Sequence, residues 1–239
     1  MDVSVEKKGI AAVAWIPGRT HVYYEDRFRL LCRPIPIVEK QDRGEIFAVF
    51  DGIGSAPKGM SAAQEMCDVL VDFYREPERY AASYNSIEEL LITANRQIFD
   101  WGFMPHSDTP LGGCVGTVVW IYEEEIHVFH AGDTLALLIR DGTYKQLTAP
   151  HELGGVIYSY FGMGDELHID VNHYEIEECD RIILMSDGVT KAMKPEAITT
   201  LVENHYDISF AVSDIVNQSR QNGSQDDITA MIIEVEFDI

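Results

Sequence analysis

The chain has 239 residues, of which 40 are acidic and 18 basic, for a formal net charge of −22. Hydrophobic residues make up 46% and charged residues 24%, a globular composition that excludes disorder and can fill one sizeable core. A surface this acidic repels nucleic-acid phosphates and anionic lipid, which argues against a nucleic-acid or membrane role.

The first residues lack the charged-then-apolar order of a signal peptide, and no apolar run reaches the roughly 18 residues of a membrane span. The four cysteines, Cys32, Cys67, Cys114 and Cys179, are scattered with no CxxC pair, which fits free thiols in a reducing cytoplasm. There is no internal repeat and no linker, so one domain over 1–239 is expected.

Residues 10–16 and 45–51 are apolar runs of strand length. Residues 58–76 place Met60, Ala63, Met66, Cys67, Leu70, Phe73 and Tyr74 on one helical face, and Pro77 ends the run. Residues 86–104 repeat the pattern, with Ser86 and Glu89 spaced as a capping box. The period then changes. Residues 114–122, 126–131 and 135–140 read as strands, and Asp141-Gly142 as a plain turn. Strands are expected at 171–176 and 181–186, helices at 195–205 and 208–220, and a closing strand at 228–237. Helix pairs inserted between blocks of strands predict an α+β fold around antiparallel sheets.

Aspartates stand where these strands end: Asp51, Asp133 and Asp187 follow apolar runs, and Asp226-Asp227 precede the last one. Glu25-Asp26 lie between two aromatic clusters. An Asp-Gly step taken alone is better read as a turn. Repetition changes the balance, because the residues after Asp51 and Asp187 do not lead into a new strand. If the strand ends converge, the carboxylates need compensation, and a divalent cation supplies it. An all-oxygen set favours Mg²⁺ or Mn²⁺ over Zn²⁺.

Phe47-Ala48-Val49-Phe50-Asp51-Gly52-Ile53-Gly54, Ala131-Gly132-Asp133-Thr134, Leu147-Thr148-Ala149-Pro150-His151, Leu184-Met185-Ser186-Asp187-Gly188 and Gly223-Ser224-Gln225-Asp226-Asp227-Ile228-Thr229 resemble, in order, the motifs of the PPM-type (type 2C) metal-dependent protein serine/threonine phosphatases. The resemblance spans 18–233 and has a bacterial cast. It implies a four-layer α/β/β/α sandwich, with two antiparallel sheets flanked by helix pairs. It implies two Mn²⁺ or Mg²⁺ ions that activate water for in-line attack on phosphoserine or phosphothreonine, with no covalent intermediate. Asp51 would bridge the ions, the Gly52 carbonyl would ligate one, and Asp187 and Asp226 would hold the other. Glu25 and Asp26 would contact metal-bound waters or the second ion. Asp133 with Asp187 matches the residues that hold a third ion in many bacterial members. The implied partner is a phosphoprotein made by a serine/threonine kinase, in the cytoplasm. Asp227 stands where Asn is common and reads as structural.

The chain departs from the family at several points. The usual phosphate-binding Arg is replaced by His21, with Arg19 two residues earlier, and either is a candidate for that contact. Ile53 stands where eukaryotic members carry His, and His151 reads as structural. Only 152–160 separate His151 from Phe161-Gly162, so the flap is expected to be reduced or absent. Two rival readings stay open: a phosphatase of anti-sigma-factor antagonists, and a catalytically silent binding module.

Overall fold

The structure is a computed structural model that describes residues 2–19 and 23–236. Its strands are β1 (Ser4–Lys8), β2 (Ala11–Ile16), β3 (Arg27–Leu31), β4 (Glu45–Gly52), β5 (Cys114–Tyr122), β6 (Glu125–Ala131), β7 (Leu135–Arg140), β8 (Thr143–Gln146), β9 (Glu152–Leu153), β10 (Val156–Ile157), β11 (Asp170–Glu175), β12 (Arg181–Met185) and β13 (Ile228–Glu234). Its helices are α1 (Pro36–Gln41), α2 (Gly59–Val69), α3 (Asp72–Arg75), α4 (Tyr84–Phe99), α5 (Asp187–Thr190), α6 (Pro195–Glu203) and α7 (Ile208–Gln221).

Two antiparallel sheets carry the architecture. One runs β1-β2-β13-β12-β7-β8 and the other β11-β6-β5-β4-β3. Strand alternation decides what each face buries. On β4, Phe47 and Val49 point between the sheets, while Ile46, Ala48 and Phe50 point at α2 and α4. On β13, Met231 and Ile233 meet the opposite sheet, and Ile228, Ala230 and Ile232 meet α6 and α7. Both faces of each central strand are therefore apolar, which is why they read as continuous hydrophobic runs. Each fully buried Leu, Ile or Phe contributes about 1.5–3 kcal/mol relative to exposure. The layers are helix, sheet, sheet, helix, as expected.

The elements read from sequence appear with shifted edges. The 58–76 stretch is two helices, α2 and α3, broken at Leu70-Val71. α4 starts at Tyr84 with Ser83 at its N-cap, so Ser86 is a buried first-turn residue and no capping box forms with Glu89. Ser86 instead pairs its hydroxyl with Ser83 at 3.2 Å. β1, β3, α1 and β8 carry too few apolar residues for their period to stand out. Asp141 and Gly142 both have positive φ and join β7 to β8 as a two-residue turn.

Candidate metal centre

Antiparallel pairing puts the ends of β2, β4, β6 and β12 beside the starts of β3, β5, β7 and β13. Asp51 at the end of β4 pairs with Val115, and Met185 at the end of β12 pairs with Ala230 of β13 and Leu135 of β7. One end of the sandwich thus collects the loops that hold the aspartates. A cavity of about 230 Å³ there is lined by Asp51, Gly52, Asp133, Asp187 and Asp226, with Ile53 and Ile157 on its rim.

Each aspartate is placed by its backbone. Asp133 sits where the chain crosses from β6 to β7, between the two sheets. Gly132 makes that crossing with φ +108°, and a Cβ there would lie 2.1 Å from Val115 Cβ, so only glycine fits. A buried relay braces the turn: Thr134 and Thr117 hydroxyls meet at 2.7 Å, Thr117 meets His130 Nδ1 at 2.9 Å, and His130 Nε2 reaches Ala149 O at 3.1 Å. Asp187 opens α5. A Cβ on the adjacent Gly188 would lie 1.9 Å from Asp227 O, so glycine there lets α5 pack against the 226–227 loop that carries Asp226.

Asp26 is fully buried beside the cavity. Thr229 Oγ1 donates to Asp26 Oδ2 and accepts from Tyr24 at 2.6 Å. Its other oxygen, Oδ1, is buried and has no hydrogen-bond partner among the described residues. Burial, against the help of Thr229, pushes Asp26 up to about 7, and Asp227 and Asp187 push the same way. Burial also holds the Asp51 carboxyl well above the usual carboxylate range, reinforced by Asp26, Asp187, Asp133 and Asp226. Asp133 is pushed up to about 6 by burial and by Asp187. The buried, partnerless Asp26 oxygen and the oxygen-only donor set fit hard divalent cations.

The other candidates fall outside the cavity. Glu25 is half-buried, and its backbone N–H donates to Asp227 Oδ2 at 2.6 Å. Arg19 is exposed on the rim, where its backbone N–H donates to Gln225 O at 2.8 Å. His21 lies outside the described residues.

A family profile described as Protein phosphatase 2C matches residues 32–232. The chain belongs to the protein phosphatase 2C family. It is 24% identical over 226 residues to the probable protein phosphatase 2C 44 of Oryza sativa subsp. japonica, covering 79% of this chain and 67% of that one. It is 19% identical over 223 residues to the serine/threonine phosphatase stp of Listeria welshimeri, covering 83% and 87%. In fold it is similar to the catalytic domain of the phosphatase PstP solved with 2 manganese ions, at TM-score 0.77 and 19% identity over 95% of this chain and 98% of that one. PppA, a regulatory component of a secretion system in Pseudomonas aeruginosa, superposes at TM-score 0.78 with 18% identity over 94% and 97%.

Within this phosphatase, Asp227 is a brace for the site. It is buried, and its two oxygens accept from the backbone N–H groups of Gly18 and Glu25, both at 2.6 Å. Asp227→Ala is expected to strand both donors and destabilise the chain by about 2–4 kcal/mol. Asp227→Asn keeps one acceptor and should cost less. Urea melts of the two variants check the order, and equal losses would contradict it.

His151 is likewise architectural. Its Nδ1 accepts from the Gly132 N–H at 3.3 Å, and its own N–H donates to Gly132 O at 2.7 Å. The proton therefore sits on Nε2, which faces Asp170 at 3.1 Å, with His168 on the other Asp170 oxygen at 3.0 Å. A metal-ligating His donates its second nitrogen to an acceptor. His151 does the opposite, so these three residues are a hydrogen-bonded tie rather than a metal site. The sequence reading missed Tyr24, Thr229 and Lys191. Tyr24 lacks any local signal, and Thr229 closes a motif whose aspartates alone read as functional. Lys191 stands four residues after Asp187, a helical spacing that could have marked it.

Proposed function

We infer that this phosphatase hydrolyses phosphoserine and phosphothreonine in proteins by direct attack of water, with no covalent intermediate. The observation that carries the reading is the convergence of Asp51, Asp133, Asp187 and Asp226 on one cavity, with the partnerless Asp26 oxygen beside it. Asp51, Gly52, Asp187 and Asp226 would hold a pair of Mn²⁺ or Mg²⁺ ions, and Asp26 and Glu25 would support them through water. When bound, such ions lower the pKa of water and offset charge on the phosphoryl oxygens.

The chain's own residues do the rest. Asp26, tied to Thr229 and, through it, to Tyr24, holds a buried carboxyl that acts on Asp51. Asp227 holds the Gly18 and Glu25 segments in register with Asp226. Ile53, which follows Gly52 in the lining of the cavity, cannot donate a proton, which leaves solvent to protonate the departing alkoxide. Arg19, on the outer rim, is available to the substrate phosphate or to its flanking residues.

The same reading takes 1–239 as one phosphatase domain with a reduced flap. The 152–157 segment is a short hairpin turned by Gly154 and Gly155, with Leu153 and Val156 exposed at its tip. A cytoplasmic place is supported by four free cysteines, three of them buried. Among the described residues no helix is long and apolar enough to cross a membrane. The substrate is a phosphoprotein made by a serine/threonine kinase.

The test is hydrolysis of p-nitrophenyl phosphate and of a phosphothreonine peptide with Mn²⁺, with EDTA, and after Mn²⁺ is restored. Turnover is expected with Mn²⁺, absent with EDTA, and regained on restoration. Equal rates in all three conditions would sink the reading.

A further inference from the structure

The acidic end of the molecule carries a cation of its own. Lys191 follows α5, one turn beyond Asp187, and its Nζ donates to Asp187 Oδ2. The lysine also lines a shallow cavity with Asn222, Gly223 and Asp226, so it sits between α5 and the 222–226 loop.

Asp187 lines one cavity with Asp51, Gly52, Asp133 and Asp226. Lys191 is thus joined to the aspartate cluster through the Asp187 oxygen that it holds.

We propose that Lys191 is a tethered cation that replaces a metal ion on the Asp133–Asp187 side of the site. Divalent cations then bind at Asp51, Gly52, Asp226 and the other Asp187 oxygen, and a further ion beside Asp133 is excluded by repulsion from the ammonium and by loss of the Asp187 Oδ2 it occupies. The proposal rests on the metal-dependent reading above and restricts it.

The experiment counts Mn²⁺ per chain by equilibrium dialysis for the wild type, Lys191→Gln, Lys191→Arg and Asp133→Asn. Lys191→Gln is expected to take up one ion more than the wild type over the same Mn²⁺ range. Lys191→Arg keeps the cation and should match the wild type. Asp133→Asn should also match it, because that side holds no ion while Lys191 is present. In EDTA, Lys191→Gln should melt below the wild type, and the gap should close as Mn²⁺ saturates. An unchanged count in Lys191→Gln, or an ion lost in Asp133→Asn, overturns the proposal and leaves the phosphatase reading standing. A wild type that takes up no Mn²⁺ overturns both.

Discussion

Asp51→Asn is expected to abolish metal-dependent hydrolysis, lowering kcat by at least about 10³-fold, or ~4 kcal/mol of barrier. Asn keeps the shape of the side chain, so β4 and its pairing with β5 are preserved. What disappears is a charge that lies among Asp26, Asp187, Asp133 and Asp226. Two readouts should move in opposite directions. Calorimetric titration should show weakened Mn²⁺ binding, because a proposed bridging carboxylate is gone. Thermal melting in EDTA should show a protein at least as stable as the wild type, because like-charge repulsion is relieved. Loss of activity with retained or raised stability is the signature of a group kept for function at a cost to the fold. A variant that stayed active would remove Asp51 from the catalytic machinery. A variant that lost activity and melted early would make the residue structural.

The metal-free wild type is expected to lose stability as pH rises from 6.5 to 8. A carboxyl whose pKa is higher in the folded than in the unfolded state keeps its proton longer when folded. Its contribution is complete below the unfolded value near 4 and is lost as pH climbs through the folded value. Burial places Asp26 at about 7, so it still titrates in this window. His130 works the other way, since burial lowers it to about 4, but its contribution is complete above its unfolded value near 6.5. The net loss should be on the order of 1 kcal/mol, or roughly 3 °C in Tm. Saturating Mn²⁺ should cancel or invert the trend, because ions bind the deprotonated carboxylates and release protons. Melts in EDTA that hold flat or rise over the same window would show that these carboxylates are already compensated without metal.

Much of the molecule is written locally. The central strands stand out because both of their faces are buried, as in residues 45–51 and 181–186, so hydrophobicity alone marks them. Asp51, Asp133, Asp187 and Asp226 stand out because each interrupts or precedes such a run, and the structure brings all four to one cavity. The weak readings fall where local pattern carries little information. Ser86 and Glu89 have the spacing of a capping box, yet the helix starts at Tyr84 and buries Ser86 in its first turn. β1 and β8 are edge strands with mostly exposed residues, so no period declares them.

The sequence by itself determined which residue types end the strands and where helix pairs fall between blocks of strands, because those properties follow from spacing within a few residues. It also determined the family, through motifs kept in order along the chain. Only the tertiary structure decided which oxygens lie together. The bond from Thr229 to Asp26 closes a separation of 203 residues, and the bond from Gly18 to Asp227 one of 209. Contacts of that range depend on antiparallel pairing between strands far apart in the chain. The same pairing left Asp26 with an unmet oxygen, turned Asp227 into a brace, and set Lys191 against Asp187.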